Sequence, residues 1–241
     1  MSINSQSPQK STSPWLIWVP VIILALAFTG GSIVLSKYGF YLQAEKAKNG
    51  DRPPYITRLE TDLTGLTERS GRQVKLSEVK GKVLLLGHVY TTCPMGCATI
   101  IEEMKKVFDE FAPKHPGLQL VSFAIDPGDD AERLRQYAEG NEITTDRWWF
   151  VNGDQKKVRT YLSHVVKFLP VIEKPKAEQT SIVDKYQHDM RVALVDAAGH
   201  LRGMYEILNA DPQFREMARA KLRKDLAWVL REQEKDAAPK P

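Results

Sequence analysis

The sequence predicts an α/β fold, because short apolar segments of strand length alternate with segments of helical periodicity. The strands are expected at 83–90, 118–125, 148–151, 191–196 and 201–205, and the helices at 98–112, 131–140, 155–168 and 212–230. Strand–helix–strand–helix followed by a β-hairpin and a helix is the order of a thioredoxin-like domain. We therefore expect a thioredoxin-like fold, preceded by one N-terminal transmembrane helix.

The transmembrane prediction rests on an uncharged run near the N-terminus. No charged side chain occurs at 11–36, and the apolar part is long enough to cross the hydrocarbon core of a bilayer. Aromatic residues stand near both of its ends, as they do at membrane interfaces. A signal peptide cleaved after Ala27 is the alternative, but the apolar run continues beyond that point, which favours a retained anchor.

The anchor divides the chain into five expected segments. They are a disordered tail at 1–14, the anchor at 15–36, a linker at 37–55, the thioredoxin-like domain at 56–230 and a disordered tail at 231–241. The positive charges around the anchor do not favour export of the domain. Long domains nevertheless cross membranes largely regardless of charge, and a thiol pair suits an oxidising compartment. We expect an inner-membrane protein with its domain on the periplasmic side.

The two cysteines carry the strongest chemical signal. Cys93 and Cys97 are the only cysteines, and they lie between the strand at 83–90 and the helix that follows. A helix start favours the thiolate, so we expect lowered thiol pKa values there. Residues four apart share one face of a helix turn, so both sulfurs can bind the same metal ion or form a disulfide with each other. An inert pair or a structural disulfide is the alternative.

A copper site would need an imidazole as well, because Cu(II) favours nitrogen alongside sulfur. Residue types alone leave all five histidines open as that ligand: His88, His115, His164, His188 and His200. The net charge of +4 is dispersed, and no basic cluster is interleaved with aromatic residues, so we expect no nucleic-acid partner.

Four segments together resemble the Sco/SenC family of membrane-tethered copper chaperones for cytochrome c oxidase assembly. They are TTCPMGC at 91–97, VSFAIDPGDD at 121–130, WFVNG at 149–153 and YQHDMRVALVD at 186–196. The chain departs from the family pattern at Ala98, where proline is usual, and at Met95, where an acidic residue is frequent.

The resemblance implies a ligand set and a role. Cys93, Cys97 and His188 take the positions of the copper ligands, for Cu(I) or Cu(II). Asp126 and Asp130 fall where the family has acidic residues near the site, and a capping or supporting role suits them better than ligation. The implied partner is the copper-bearing subunit of cytochrome c oxidase, which would receive the ion at its binuclear copper centre.

Two other functions remain open on the sequence. One is a membrane-anchored thiol-disulfide oxidoreductase, in which Cys93 and Cys97 form the redox-active dithiol. The other is a thiol or copper sensor that signals to a membrane partner. A pure dithiol exchanger does not need His188, so the role of this side chain distinguishes the oxidoreductase from a copper chaperone.

Overall fold

The structure is a computed structural model that describes residues 15–50, 52–59, 62–94 and 96–237. The N-terminal tail predicted at 1–14 and the last four residues of the predicted C-terminal tail lie outside the described residues. The chain divides into two compact units, residues 1–51 and residues 52–241.

The first unit is built on one helix, α1 (Trp15–Asn49). Within α1, the 23 residues Trp18–Phe40 form a candidate membrane span by length and composition. The Thr29 hydroxyl donates to the Ala25 carbonyl 2.8 Å away, so this polar group finds its partner inside the helix. Helix α1 also includes 37–49, which the sequence assigned to the linker.

The second unit contains the sheet and the remaining helices. Its strands are β1 (Thr57–Arg58), β2 (Leu66–Glu68), β3 (Gln73–Val74), β4 (Val83–Val89), β5 (Leu118–Ala124), β6 (Trp148–Gly153), β7 (Ile172–Glu173), β8 (Tyr186–Gln187), β9 (Val192–Val195) and β10 (His200–Tyr205). Its α-helices are α2 (Cys97–Phe111), α3 (Ala131–Gly140), α4 (Gln155–His164) and α5 (Pro212–Ala237), and short 3-10 helices lie at Leu76–Val79 and Lys176–Glu178.

In the part of the chain that the structure describes, eight strands form the main sheet in the order β1-β10-β9-β4-β5-β6-β2-β3, and β7 and β8 form a second sheet. The neighbours β4, β5 and β6 are parallel, whereas β9 joins β4 antiparallel. Every residue of β4 and β5 is buried, as expected for parallel strands covered on both faces.

Alternate residues of β4 pack into different cores. Leu85 belongs to the core that also contains residues of α2, α3 and α5, and Leu86 belongs to the core that contains residues of α4. The predicted order of strands and helices is confirmed, and it places the end of β4 at the edge where parallel strands present their C-terminal ends.

Several parts of the second unit differ from the sequence-based expectation. Strand β1 was not predicted, and α4 ends at His164 although a helix was expected to 168. The hairpin of β7 and β8 was not predicted. Helix α5 extends to Ala237, although a disordered tail was expected from Arg231. In that extension, Glu232 Oε2 lies 2.8 Å from Nη1 of Arg202, whose side chain is completely buried. This ion pair gives the last turns of α5 a partner in the domain.

Candidate metal centre

The loop between β4 and α2 is held by a buried carboxylate from the next strand–helix connection. The Thr91 backbone N–H donates to Asp129 Oδ2 over 3.1 Å, and the Thr91 hydroxyl donates to Asp129 Oδ1. Asp129 is fully buried. A tight turn follows, in which the Cys93 backbone N–H donates to the Tyr90 carbonyl over 3.0 Å. These bonds set the position at which the Cys93 side chain leaves the loop.

Gly96 sets the start of α2. It precedes the helix with φ +120°, a conformation that strains residues with a side chain. Glycine therefore lets the loop turn directly into the helix, which makes Cys97 the first helical residue and buries it.

His188 reaches the cysteines from the segment between β8 and β9. Its Nε2 lies 3.2 Å from Cys97 Sγ, and its Nδ1 lies 2.9 Å from the Asp189 carbonyl oxygen. A carbonyl oxygen only accepts hydrogen bonds, so Nδ1 carries a proton, and in the neutral imidazole the Nε2 lone pair faces the thiol. Metal-binding histidines commonly donate their other ring N–H in this way.

The ligand atoms of Cys93, Cys97 and His188 all lie within 4.8 Å of one another. Among the residues that the structure describes, this is the one group of three or more His, Cys, Asp or Glu side chains with metal-binding spacing. The three residues singled out from the sequence are thus brought together, although 91 positions separate Cys97 from His188. Two sulfurs and one imidazole suit copper, since thiolates favour Cu(I) and imidazole favours Cu(II).

The remaining candidate residues lie outside this group. His115 contacts Glu234 and His200 contacts Asp196, while His164 is exposed at the end of α4. Asp130 caps α3 by accepting from the Arg133 N–H, and Asp126 accepts from the Gly128 N–H. Both aspartates therefore have local roles, as expected. Met95 lies outside the described residues.

The expected lowering of the thiol pKa is wrong for Cys97. Its pKa is raised, first because Cys93 forms a side-chain hydrogen bond with it and second because burial disfavours the thiolate. A backbone hydrogen bond from Tyr90 favours the thiolate but does not outweigh these effects. In the metal-free protein Cys97 is therefore a thiol, and binding of a cation releases its proton.

Asp189 anchors the segment that carries His188, although no pattern in its surrounding residues predicted this role. Its carboxylate is buried, and it accepts from the backbone N–H groups of Leu169 and Arg191 over 2.7 and 2.9 Å. The Arg191 guanidinium contacts both carboxylate oxygens. The pKa of Asp189 is lowered, because these bonds from Arg191 and the backbone outweigh the opposing effect of burial.

The β7–β8 hairpin leading to His188 has a second buried anchor, Asp184. Its carboxylate accepts from Lys174 Nζ over 2.7 Å and from the Thr180 N–H and hydroxyl over 3.0 and 2.9 Å. Lys174 and then Thr180 lower the pKa of Asp184 to about 2. In the loop of the hairpin, the Val183 carbonyl accepts a hydrogen bond from the Tyr90 hydroxyl. The carboxylates were missed because several of their partners, Leu169, Lys174 and Thr180, lie outside the segments that carry the family resemblance.

His88 is buried inside the domain, next to His188. It is 2% exposed, and its ring centroid is 4.5 Å from that of Phe168 and 5.5 Å from that of His188. Burial, and then the neighbouring His188, lower the pKa of His88 to about 3, so its imidazole is neutral.

Comparison with known proteins identifies a matching family and a related protein. The sequence model of the SCO1/SenC family matches residues 63–223. The SCO1 protein homolog of Bacillus subtilis (strain 168) is 24% identical over 116 residues, which cover 47% of this chain and 59% of that relative. The match therefore spans less than two thirds of the relative's own length.

Solved structures of this family share the fold of the second unit. BsSco, described as a cytochrome c oxidase assembly protein with a disulfide switch, aligns with a TM-score of 0.55 and 20% identity, covering 73% of this chain and 97% of BsSco. Copper-bound yeast Sco1 aligns with a TM-score of 0.52 and 15% identity, covering 73% and 93% of the two chains. These alignments confirm the thioredoxin-like fold. The SCO1/SenC family model matches more than half of the residues of this chain, so the chain belongs to the SCO1/SenC family.

Proposed function

We propose that this protein binds one copper ion through Cys93, Cys97 and His188 and delivers it to the copper-bearing subunit of cytochrome c oxidase. The observation that carries the proposal is the meeting of two sulfurs with an imidazole whose Nε2 lone pair is directed at them. Copper-bound yeast Sco1 and the oxidase-assembly role given for BsSco support it from the family side.

The geometry suits a carrier that must release its ion. Three protein ligands leave a coordination position open, through which a ligand of the receiving protein can enter. Cys93 is partly exposed, whereas Cys97 is buried. The ion would therefore be held from inside by Cys97, while Cys93 and His188, both partly exposed, are the protein ligands that an incoming partner can reach.

The location of the protein follows from the candidate membrane span. We propose that α1 is a single-pass anchor in the inner membrane and that the domain lies on the periplasmic side. An exported domain meets copper and oxidised thiols outside the cytoplasm, where a copper carrier can load and where disulfides persist.

The test is metal analysis of the full chain in detergent, loaded separately with Cu(I) and Cu(II). We expect one copper per chain. His188→Ala should weaken Cu(II) binding severely and retain some Cu(I) binding, because Cu(I) accepts two thiolates alone. Cys93→Ser should weaken the binding of both ions. His115→Ala is the matched control, since it removes an imidazole outside the site.

Failure of the wild-type protein to retain copper under reducing conditions would refute the proposal. Unchanged Cu(II) affinity and unchanged thiolate-to-copper absorption in His188→Ala would refute the ligand assignment alone.

A second candidate function is thiol-disulfide exchange, favoured by the closeness of the Cys93 and Cys97 sulfurs, which lie within 4.8 Å of each other. In that reaction both thiols are oxidised to a disulfide while a disulfide of the target is reduced to two thiols. His188→Ala should leave the exchange intact, because both sulfurs remain. Exchange activity that persists in a protein that never binds copper would favour this second function.

A further inference from the structure

One buried polar side chain next to the metal centre has no role in the site described so far. His88 is 2% exposed, and neither of its ring nitrogens makes a hydrogen bond of normal geometry with any residue that the structure describes. Burying an imidazole without such partners costs free energy, and an apolar residue of similar size would avoid that cost. The position therefore calls for a functional explanation.

The His88 ring contacts the rings of Phe168 and His188. In β4, His88 follows Leu84 and Leu86 on the sheet face covered by α4, where its ring packs on Phe168. On another side it meets the His188 ring, with centroids 5.5 Å apart and planes inclined by 54°. The Asp189 backbone also lies close enough to interact with the ring. His88 is thus a buried imidazole in ring contact with the imidazole proposed to bind copper.

We propose that His88 is a second imidazole ligand of this centre, recruited when the bound ion is Cu(II). The inference rests on the copper-binding function proposed above. Cu(II) favours tetragonal sites rich in nitrogen, and Cys93, Cys97 and His188 leave one such position unfilled. Two imidazoles that share one ion at metal–nitrogen distances of about 2.0–2.1 Å hold their ring centroids roughly 5 Å apart. The observed spacing is close to this value.

Recruitment requires a small rearrangement, because His88 is not among the ligand atoms that lie within 4.8 Å of one another. The two histidines belong to segments that differ in rigidity. His88 belongs to a fully buried central strand, whereas His188 lies in the connection between β8 and β9 and is half-buried. Segments that connect strands move at a lower free-energy cost than strands in the centre of a sheet. The expected motion is an inward shift of the His188 segment together with the ion.

The consequence is selectivity between oxidation states. Cu(I) is satisfied by the two thiolates and gains little from a further imidazole, whereas Cu(II) gains a strong equatorial ligand. His88 therefore determines how tightly the site holds Cu(II) relative to Cu(I).

The experiment counts the nitrogens bound to Cu(II) by pulsed electron paramagnetic resonance of the full chain in detergent. We expect two histidine nitrogens in the wild type and one in His88→Phe, a substitution that fills the space without a ligand atom. Cu(II) affinity should fall by about tenfold or more in this variant. Cu(I) affinity should remain within about twofold. His115→Phe is the matched control and should retain both nitrogens.

Two results would overturn the inference while leaving the proposed function intact. One is a single histidine nitrogen in the wild-type spectrum, a result that does not depend on whether a variant folds. The other is an unchanged nitrogen count in a folded His88→Phe protein. Failure of the wild type to bind copper at all would instead overturn the proposed function.

Discussion

Replacing Asp189 by asparagine tests whether the anchor of the His188 segment determines the metal centre. The substitution keeps the shape of the side chain and removes its charge. Asp189 accepts from two backbone N–H groups and from the Arg191 guanidinium, whose Nε lies 2.9 and 3.0 Å from the two carboxylate oxygens. The asparagine amide nitrogen would instead place a donor against donors, so at least one of these bonds is lost.

The magnitude follows from burial and charge. Removing one partner of a buried ion pair costs about 3–5 kcal/mol, and a hydrogen bond to a charged group contributes about 1.5–3 kcal/mol. The Arg191 side chain is 31% exposed, so water recovers part of that loss. We expect Asp189→Asn to lower the free energy of unfolding by about 2–3 kcal/mol. Cu(II) affinity should fall by about tenfold or more, because loosening this segment also displaces the Asp189 backbone carbonyl, which orients the His188 ring.

The dependence on pH has a definite sign. Because the folded state lowers the pKa of Asp189, its stabilising contribution is complete above the unfolded-state pKa of about 3.9. The contribution disappears as the pH falls through the lower, folded-state pKa. The stability difference between wild type and Asp189→Asn should therefore be full at neutral pH and shrink in strong acid.

The assay combines chemical unfolding of the full chain in detergent with Cu(II) titration. Asp109→Asn is the control, because it removes an exposed carboxylate that pairs with Lys105 four residues away on the surface of α2. Its effect on the free energy of unfolding should stay within about 0.5 kcal/mol. If Asp189→Asn behaves like this control in both measurements, the reasoning about the anchor is refuted.

Three further predictions concern the domain, the membrane and the hairpin. A fragment beginning at Arg52 should fold without α1 and bind one copper per chain, since residues 52–241 form a compact unit with its own cores; an unfolded fragment by circular dichroism would contradict this. An impermeant thiol reagent should label the cysteines in intact, mildly reduced cells, and labelling only after lysis would place the domain in the cytoplasm. Asp184→Asn should increase hydrogen exchange in the β7–β8 hairpin at neutral pH, because the native carboxylate, with its pKa of about 2, stays charged and bonded until strong acid. Unchanged exchange in that variant would show that the hairpin does not depend on this anchor.

The sequence alone was sufficient for the features that depend on local pattern. The apolar run of β4 and the helical spacing after Cys97 predicted a strand and a helix with both cysteines at their junction, and the structure confirms that placement. The candidate membrane span follows equally from length and composition. In these segments the hydrophobic periodicity and the final environment agree, so neighbouring residues carry the necessary information.

The tertiary structure decided what depends on distant partners. Residue types left five histidines open, and the resemblance pointed to His188. Only the fold brings His188 to Cys97, next to the buried Asp189 and after a hairpin whose two-residue strands are too short to show periodicity. Folding also reversed the expected direction of the Cys97 pKa, because the second thiol and burial outweigh the helix start. Desolvation and long-range contacts exist only once the chain is packed, so no local pattern reports them.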